Sequence, residues 1–542
     1  MIHNGVKKSC VLSRVPVPRA VRQGAVRILN QQSVSGGSAP GKRELVKSSA
    51  SATSTNAVLR VKTVDTGNSQ SPLPPGPSFF TPFLGETLEY GDKGPLRFGL
   101  ERYAKYGPVF KTNLWGGDLY MVCTMDLFKA IMAEDTKLVN FSVAGTFGKL
   151  QGDFVTKILS NKDGARMPFR RSLLIAVTNE ALAGYMPSIS KIALSNLDAL
   201  ARQDKWELNQ ETRKWGMEFA NSLLAGLSDL TEADAKKLRD DLALFFDGLF
   251  TFDVDLPGTP LRKAFDARQR LLDRITLSIT NQRDEMLKEV EKPLPGQPKV
   301  RKNMLGYLID QQLAAGETVD VDFLSGLALG VLQAGTDTSS SGFNGLMAIL
   351  GQMPEVLHKI REEQEAVVAQ YGPEYSKQAL DASRYLDACV REALRINSPG
   401  QAQFRSVERE FEVGGFRFPV GSSLFLNTLT AHALELDPDW PAGAAPGQMR
   451  PSHMDLYQIQ KCFKPERWLD PNPDNRPSLL TFGHGPHTCL GMALYILEAK
   501  TLVAAMARQY DLQLLTPEIE WQEFPATRPK HDVFMRLVPR RG

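Results

Sequence analysis

Apolar side chains recur every three or four positions through most of the chain between about residues 180 and 400. This spacing puts them on one face of a helix and therefore predicts a series of amphipathic helices. Pro257-Gly258 and Pro293–Gly296 interrupt the pattern and predict where helices end. The clearest individual helices are predicted at Leu324–Leu350 and Met492–Arg508.

Alternating apolar and polar residues, which are typical of β-strands, occur on both sides of this helical region. Val109–Leu114 and Leu119–Val122 predict a hairpin, and an amphipathic helix is predicted before it at Leu96–Tyr106. Phe411–Pro419 and Ser422–Leu426 predict a second group of strands. The sequence thus predicts a single large domain that is mostly α with small β-sheets.

Composition narrows the class of protein. Of the 542 residues, 42% are hydrophobic and 23% are charged, which excludes a disordered, collagen-like or coiled-coil protein. The five cysteines are scattered and include no C-x-x-C pair, so neither a disulfide framework nor a zinc site is predicted. Because no run of about 20 uncharged apolar residues occurs, we expect no membrane-spanning helix.

Basic residues are concentrated at the start of the chain. Residues 1–63 contain 11 Lys or Arg, 12 Ser or Thr and one acidic residue, which is typical of an organelle transit peptide. A disordered leader is the alternative. The other 479 residues carry a net charge of −7, so nucleic-acid binding is not expected. We therefore expect a folded domain at 64–542 and a plastid location, with the mitochondrion as the alternative.

One short segment carries most of the chemical information. Phe482–Gly491 reads FGHGPHTCLG and runs from a glycine-rich loop into a predicted helix. Cys489 lies at the junction, where helix N–H groups and the helix dipole favour a thiolate, the form of cysteine that binds metals. Gly483 and Gly485 allow a tight loop beneath a flat ligand, and Gly491 leaves room where a ring would approach the helix.

This segment resembles the haem-binding signature of the cytochrome P450 family, the haem-thiolate monooxygenases, at Phe482, Gly485, Cys489 and Gly491. The resemblance implies the P450 fold, haem b (iron protoporphyrin IX) as the cofactor and Cys489 as the ligand of its iron. His487 stands where the family usually has an arginine that contacts a haem propionate. We expect His487 to make that contact.

Two further motifs resemble parts of the same family. Glu392 and Arg395 match its Glu-x-x-Arg motif. Pro465–Trp468 resembles its Pro-Glu-Arg-Phe, so Arg467 is expected to complete a buried Glu-Arg-Arg network. In the family this network supports the haem pocket and does not take part in catalysis.

The oxygen-binding motif of the family is matched by Ala334–Thr338, inside a predicted apolar helix. Ala334 and Gly335 are expected to border the cofactor. Gly335 and the neighbouring Ser and Thr residues are expected to open the helix locally, which makes room for dioxygen and water. Asp337 and Thr338 are the expected catalytic pair, since the resemblance implies that they relay protons to the bound oxygen.

Other residues fill in the expected pocket. Leu327, Val331 and Ala334 share one face of the same helix and are expected to line an apolar substrate pocket. Arg170 and Arg405 resemble the arginines with which the family holds the haem propionates.

The resemblance implies a monooxygenase that inserts one atom of dioxygen into a hydrophobic substrate. No flavin or nicotinamide motif occurs, so electrons are expected from an external NADPH-linked donor: a ferredoxin in a plastid, or a flavoprotein reductase at the reticulum. Leu84–Thr87, Tyr106–Thr112 and Leu256–Thr259 resemble the branch that oxidises retinoids, sterols and related isoprenoids. A carotenoid, retinoid or sterol-like substrate is therefore expected, and peripheral contact with a membrane is compatible with the sequence.

Other functions stay open at this point. An oxygen-independent hydroperoxide isomerase or dehydratase would share the fold, but such enzymes typically lack the pair that stands here at Asp337 and Thr338. A non-enzymatic haem sensor would need neither that pair nor an electron donor. A haem-free, partner-binding protein would be distinguished by its absorbance spectrum. Residues 441–460 look like an insertion relative to the family and are given no role.

Overall fold

The computed structural model describes most of the chain from residue 59 onward. The described ranges are 59–64, 70–77, 85–142, 146–152, 166–227, 230–249, 251, 253–290, 300–436, 456–523 and 526–540. Most of the expected leader at 1–63 and most of the expected insertion at 441–460 lie outside the described residues. All of the described residues belong to one unit of the chain.

Helices dominate the described fold, both in the region of apolar periodicity at about 180–400 and at some positions that the periodicity does not predict. Their bounds are α1 Thr87–Tyr106, α2 Met125–Ala133, α3 Arg166–Leu174, α4 Asn179–Ala201, α5 Leu208–Leu223, α6 Glu232–Leu249, α7 Pro260–Val290, α8 Met304–Ala314, α9 Val321–Gln352, α10 Pro354–Tyr371, α11 Lys377–Ala382, α12 Arg384–Ile396, α13 Thr428–Leu436, α14 Leu456–Cys462 and α15 Met492–Gln509. The two helices predicted individually at 324–350 and 492–508 correspond to α9 and α15.

Short strands form small sheets beside the helices, as the alternating patterns predict. Their bounds are β1 Lys62–Thr63, β2 Val109–Leu114, β3 Gly117–Val122, β4 Val139–Phe141, β5 Trp206–Glu207, β6 Ala402–Val407, β7 Phe411–Val413, β8 Phe416–Phe418, β9 Ser423–Asn427, β10 Tyr510–Leu514, β11 Trp521–Gln522, β12 Arg528–Pro529 and β13 Phe534–Pro539. The largest sheet has the order β2-β3-β9-β6-β4. The smaller sheets are β1-β7-β8, β10-β13-β5 and β11-β12.

Pairing in the largest sheet brings distant parts of the chain together. The predicted hairpin is the antiparallel pair β2 and β3, and β3 continues the sheet through a parallel pairing with β9. Phe404 of β6 lies opposite Phe425 of β9, and their rings meet edge to face at 5.1 Å. Such aromatic cross-strand pairs stabilise a sheet and hold its register.

The folded domain starts before residue 64. Lys62 and Thr63 form β1, which pairs antiparallel with Glu412 and Phe411 of β7. Leu59 and Val61 pack against the apolar cluster under this sheet. The charge pattern places the end of the basic leader at residue 63, but its last residues are therefore part of the domain.

Helix α9 runs through the centre of the domain. Its second half is buried almost continuously, from Ser339 to Leu350. Asp320 caps its start by accepting the N–H of Phe323 at 3.0 Å, and Pro354 begins the next helix shortly after its end. The Phe343 ring lies 6.2 Å from Trp215 of α5 and 5.3 Å from Tyr495 of α15. These contacts fix α9 between its neighbours.

The described helices include none that is both long and apolar enough to span a membrane.

A pH dependence of stability follows from Glu523, which is fully buried after β11 and accepts the N–H of Leu96 at 3.1 Å. Burial raises the pKa of Glu523 from 4.5 to about 8. The folded state therefore holds the Glu523 proton to a higher pH than the unfolded state does. The stability that this bound proton contributes is lost as pH rises from about 4.5 to 8. We expect Glu523→Gln to weaken the fall in Tm between these pH values.

Thermal unfolding of the parent protein and of Glu523→Gln at pH 5 and pH 8 measures the fall in Tm of each. These two pH values span most of the range below the pKa of about 8. Glu520→Gln is the matched control, because Glu520 lies three residues earlier and its side chain is 68% exposed. A fall in Tm that is as steep in Glu523→Gln as in the parent protein would contradict the assignment.

Candidate active site

The loop before α15 takes a shape that requires glycine at two positions. Gly483 and Gly485 have φ of 78° and 71°, in the left-handed region that other residues rarely adopt. A Cβ on Gly485 would lie 2.3 Å from the carbonyl oxygen of Met132 in α2. The N–H of Cys489 donates to the carbonyl of Phe482 at 2.8 Å and closes the loop.

The Cys489 sulfur lies at the start of α15, where it accepts hydrogen bonds from the backbone N–H groups of Gly491 and Met492. The Cys489 side chain is surrounded by protein atoms on most sides, yet part of its surface is accessible. The sulfur therefore borders an internal opening. Burial raises the pKa of Cys489, whereas the two N–H groups and the positive charge of Arg170 act in the opposite direction. A metal ion bound to the sulfur would hold it as a thiolate.

One face of α9 also borders an opening. Ala334 and Thr338 are exposed, one turn apart, on a helix that is otherwise largely buried. The Thr338 hydroxyl donates to the carbonyl of Ala334 at 2.6 Å. Thr336 and Ser340 bond in the same way to the carbonyls four positions before them, both at 2.7 Å. Hydrogen bonds of this kind compete with the helix ladder and loosen it locally.

Gly335 has a different place from the one expected. A Cβ on Gly335 would lie 2.7 Å from Leu224 Cδ1 and 3.7 Å from Ala220 Cβ. The missing side chain therefore makes room for the end of α5, not for the cofactor or dioxygen. Leu327 is also only 4% exposed and belongs to an apolar cluster with α6 and α7. The open part of this face begins at Val331, which is half-buried.

Asp337 is half-buried on α9 beside the exposed Thr338. Burial raises the pKa of Asp337, and the charges of Arg213 and Arg528 oppose this rise. Asp337 consequently keeps its proton to a higher pH than an ordinary aspartate. A carboxyl group that retains its proton in this way can act as a proton donor.

Two of the expected propionate-binding residues meet at a buried carboxylate, Asp135. Arg405 donates to Asp135 Oδ2 through Nε at 3.2 Å and Nη2 at 3.0 Å. His487 forms a short hydrogen bond to the same oxygen through Nδ1. Burial raises the pKa of the Asp135 carboxyl, but the bond to His487 and the charge of Arg405 lower it below its ordinary value. Arg170 of α3 is half-buried and close enough to Cys489 to act on its charge.

The structure brings together the three residues that the sequence groups into a network. Glu392 has no exposed surface and accepts two hydrogen bonds from Arg395, both at 2.9 Å. Arg467 Nε lies 3.3 Å from the same carboxylate. The indole of Trp468 donates to Glu392 at 2.8 Å, and the N–H of Lys464 donates at 3.2 Å. Every oxygen of this buried charge is thus occupied.

His432 is a site residue that sequence reasoning missed. Its Nδ1 lies 3.0 Å from the carbonyl of Arg395, and its Nε2 accepts the N–H of Leu480 at 2.8 Å. Nδ1 therefore carries the ring proton. Burial and the charge of Arg395 lower the pKa of His432 to about 3, so the ring is neutral. Asp135 was missed as well, because nothing in the local pattern distinguishes either residue from other buried polar groups.

The residues present fit a haem. A planar ligand needs free space beside the sulfur, and a Cβ on Gly491 would meet nothing within 4 Å except that sulfur, at 3.8 Å. The helix that bears Ala334 and Thr338 is a direct neighbour of α15 through the contact of Phe343 with Tyr495. Buried or half-buried cations are available for the two negatively charged propionates.

A cysteine sulfur held by N–H groups at a helix start, beside a helix with an open Thr face, defines a haem-thiolate site. Residues 74–438 and 455–532 match the sequence model of the family described as cytochrome P450. The chain therefore belongs to the cytochrome P450 family. It is an oxidoreductase, a monooxygenase that uses haem and dioxygen, as the sequence predicts.

Several known proteins are similar to this chain. It is 23% identical over 480 residues to β-amyrin 11-oxidase of Glycyrrhiza uralensis. The matched region covers 86% of this chain and 91% of that protein. It is 27% identical over 460 residues to human cytochrome P450 26B1, with 82% of each covered. Its fold is similar to that of retinoic acid-bound cyanobacterial CYP120A1, with a TM-score of 0.70, 24% identity, and coverage of 87% and 100%.

The role of His432 can be tested by His432→Leu. The substitution leaves the carbonyl of Arg395 and the N–H of Leu480 buried without their partner. An unsatisfied buried polar group costs about 1–3 kcal/mol, so we expect a loss of unfolding free energy of this size for each group. Chemical denaturation of the haem-loaded protein measures the loss, and the haem content per protein should fall with it.

His531→Leu is the matched control, because the His531 side chain is 77% exposed. Equal stability and haem content in both variants would show that His432 does not support the Cys489 loop.

Proposed function

We propose that the substrate of this monooxygenase is a hydrophobic isoprenoid: a carotenoid, a retinoid or a sterol-like molecule. The observation that supports this most is the open face of α9, where Val331 and Ala334 precede Thr338 and bring no charge to the opening. An uncharged, apolar wall suits a hydrocarbon at the reacting end of the substrate. The names of two similar proteins also mention such molecules: β-amyrin, a triterpene, and retinoic acid, a retinoid.

Bound haem supplies the oxygen activation and electron chemistry, and the chain supplies binding, orientation and protons. Cys489 would hold the haem iron through its thiolate, and Arg170, Arg405 and His487 would hold the propionates. These assignments rest on the placement of the Cys489 sulfur at the opening and on the cations described above.

Thr338 and Asp337 would supply protons at the open face of α9. The Thr338 hydroxyl is exposed to the opening and now donates to Ala334, so a small rotation redirects it toward a ligand. Asp337 holds a proton more strongly than an ordinary aspartate because it is buried. It would therefore serve as a proton donor beside Thr338, with solvent as the source that restores its proton.

Substrate class is tested by titrating the haem-loaded protein with a panel of carotenoids, retinoids, sterols and fatty acids. Binding beside the iron displaces water and shifts the haem from low to high spin. We expect a saturable shift with at least one isoprenoid, because the uncharged wall at Val331 and Ala334 favours one. A shift with fatty acids only would refute the substrate class and leave the haem chemistry intact.

The proton relay is tested by Thr338→Ala. Without the hydroxyl, we expect substrate binding to be unchanged and product formed per electron to fall roughly tenfold or more, with hydrogen peroxide in its place. Thr338→Ser should restore most of the coupling. Thr336→Ala is the matched control, because the Thr336 hydroxyl is buried against Leu332. Unchanged coupling in Thr338→Ala would remove Thr338 from the relay.

We also propose that residues 1–63 direct the protein to a plastid, which makes a ferredoxin the expected electron donor. Their 11 basic residues and single acid support this. A fluorescent reporter fused to residues 1–63 should enter plastids, and replacement of Arg14, Arg19, Arg22 and Arg27 by Gln should abolish import. Import into mitochondria would favour the alternative organelle. Association with the reticulum would favour a flavoprotein reductase as the donor, and a reporter that stays in the cytosol would indicate a disordered leader.

A further inference from the structure

Asp135 lies where three elements of the haem site meet. It follows the end of α2, and its carboxylate accepts hydrogen bonds from Arg405 of β6 and from His487 of the Cys489 loop. Asp135 has no exposed surface, and the side chains of Arg405 and His487 are 2% and 5% exposed. The cluster is therefore closed to solvent, which makes its hydrogen bonds strong.

The same three elements touch at two further points. A Cβ on Gly485 would lie 2.3 Å from Met132 O in α2, and one on Gly483 would lie 2.9 Å from Gln403 Nε2 in β6. The Phe141 ring stacks on the His487 ring at 6.0 Å. The loop thus lies closely on both elements, and His487 has little freedom to turn away from Asp135.

The backbone beside Asp135 is strained. Thr136 has φ of 73°, a value that a β-branched residue rarely adopts. Its N–H donates to Asp135 Oδ1 at 3.1 Å and to the carbonyl of Val139 at 2.8 Å. Strain of this kind persists where surrounding contacts impose it, and it is common at functional sites. Here it holds the Asp135 carboxylate toward β6 and the loop.

A carboxylate is an unexpected neighbour for groups that bind two more carboxylates, because like charges repel. Its benefit is geometric: it engages Nδ1 of His487 and one edge of the Arg405 guanidinium at the same oxygen. Nη1 of the same guanidinium donates to the carbonyl of Phe404 at 2.7 Å, so the direction of the Arg405 side chain is fixed on both sides. Partners of this kind orient groups that hold a metal centre, and their loss typically weakens metal binding by about 10–100-fold.

We propose that Asp135 is a positioning residue that presets His487 and Arg405 for the haem propionates, so that the protein retains its haem. The proposal rests on the haem site assigned above. It is specific to a chain with histidine at position 487, because Nδ1 of that ring is what reaches Asp135.

The test measures the rate at which haem leaves the loaded protein for a haem-scavenging apoprotein. We expect Asp135→Ala to release haem roughly 10–100-fold faster than the parent protein. Asp135→Asn should lie between them, because its amide oxygen can still accept from Arg405 and His487. Resonance Raman spectra should show shifted propionate bending bands in both variants, with an unchanged iron–sulfur stretch.

Glu86→Gln is the matched control. Glu86 is also a largely buried carboxylate that accepts from an arginine, Arg102 at 2.5 Å, and from a second side chain, Thr112 at 2.6 Å. We expect it to lower Tm without changing haem release or the propionate bands. Asp135→Asn provides the same readings if Asp135→Ala does not fold.

Haem release from both Asp135 variants at the parent rate, with unshifted propionate bands, would overturn the proposal. Faster release in Glu86→Gln at the same loss of Tm would also overturn it, because general destabilisation would then explain the effect. Failure of the haem assignment is distinguishable, since the parent protein would then lack the thiolate-ligated haem spectrum.

Discussion

A carboxylate that is completely withdrawn from water must find donors for its oxygens, and Glu392 finds them on two parts of the chain. Arg395 comes from its own helix, while the N–H of Lys464 and the side chains of Arg467 and Trp468 come from the segment before the Cys489 loop. That segment cannot move away without leaving a buried charge unpaired. The position of the iron-binding sulfur depends on this constraint.

His432 extends the same support toward the loop. It joins the carbonyl of Arg395 to the N–H of Leu480, two residues before Phe482. The chain from Phe482 then turns through Gly483 and Gly485 and closes by the bond from Cys489 to Phe482. A series of satisfied backbone and side-chain groups therefore runs from the buried charge to the sulfur.

Periodicity and motifs predict the main helices and strands of this fold well. They predict much less well which residues contact each other between these elements. The ends of α9 and α15 lie within three residues of their predicted positions. Gly335 belongs to the expected motif, yet the side of α9 on which it packs is decided by α5. Asp135 could not be found from the sequence because its partners, Arg405 and His487, are 270 and 352 residues away.

Several departures from regular backbone and side-chain geometry lie at the haem site. Thr136 and Gly485 have positive φ, Thr338 bonds back to its own helix, and a carboxylate is buried beside the propionate-binding cations. The rest of α9 and α15 is regular and mostly buried. This division is typical of proteins in which a rigid scaffold holds a strained site.

The arrangement of the loop assigns the haem iron to the Cys489 sulfur. The most direct measurement is the absorbance spectrum of the reduced, carbon monoxide-bound protein and of Cys489→Ser, with Cys462→Ser as the control at a half-buried cysteine outside the loop. We expect the red-shifted Soret band of thiolate ligation in the parent protein and in Cys462→Ser, and its loss in Cys489→Ser. A normal thiolate spectrum in Cys489→Ser would show that the iron ligand is not Cys489.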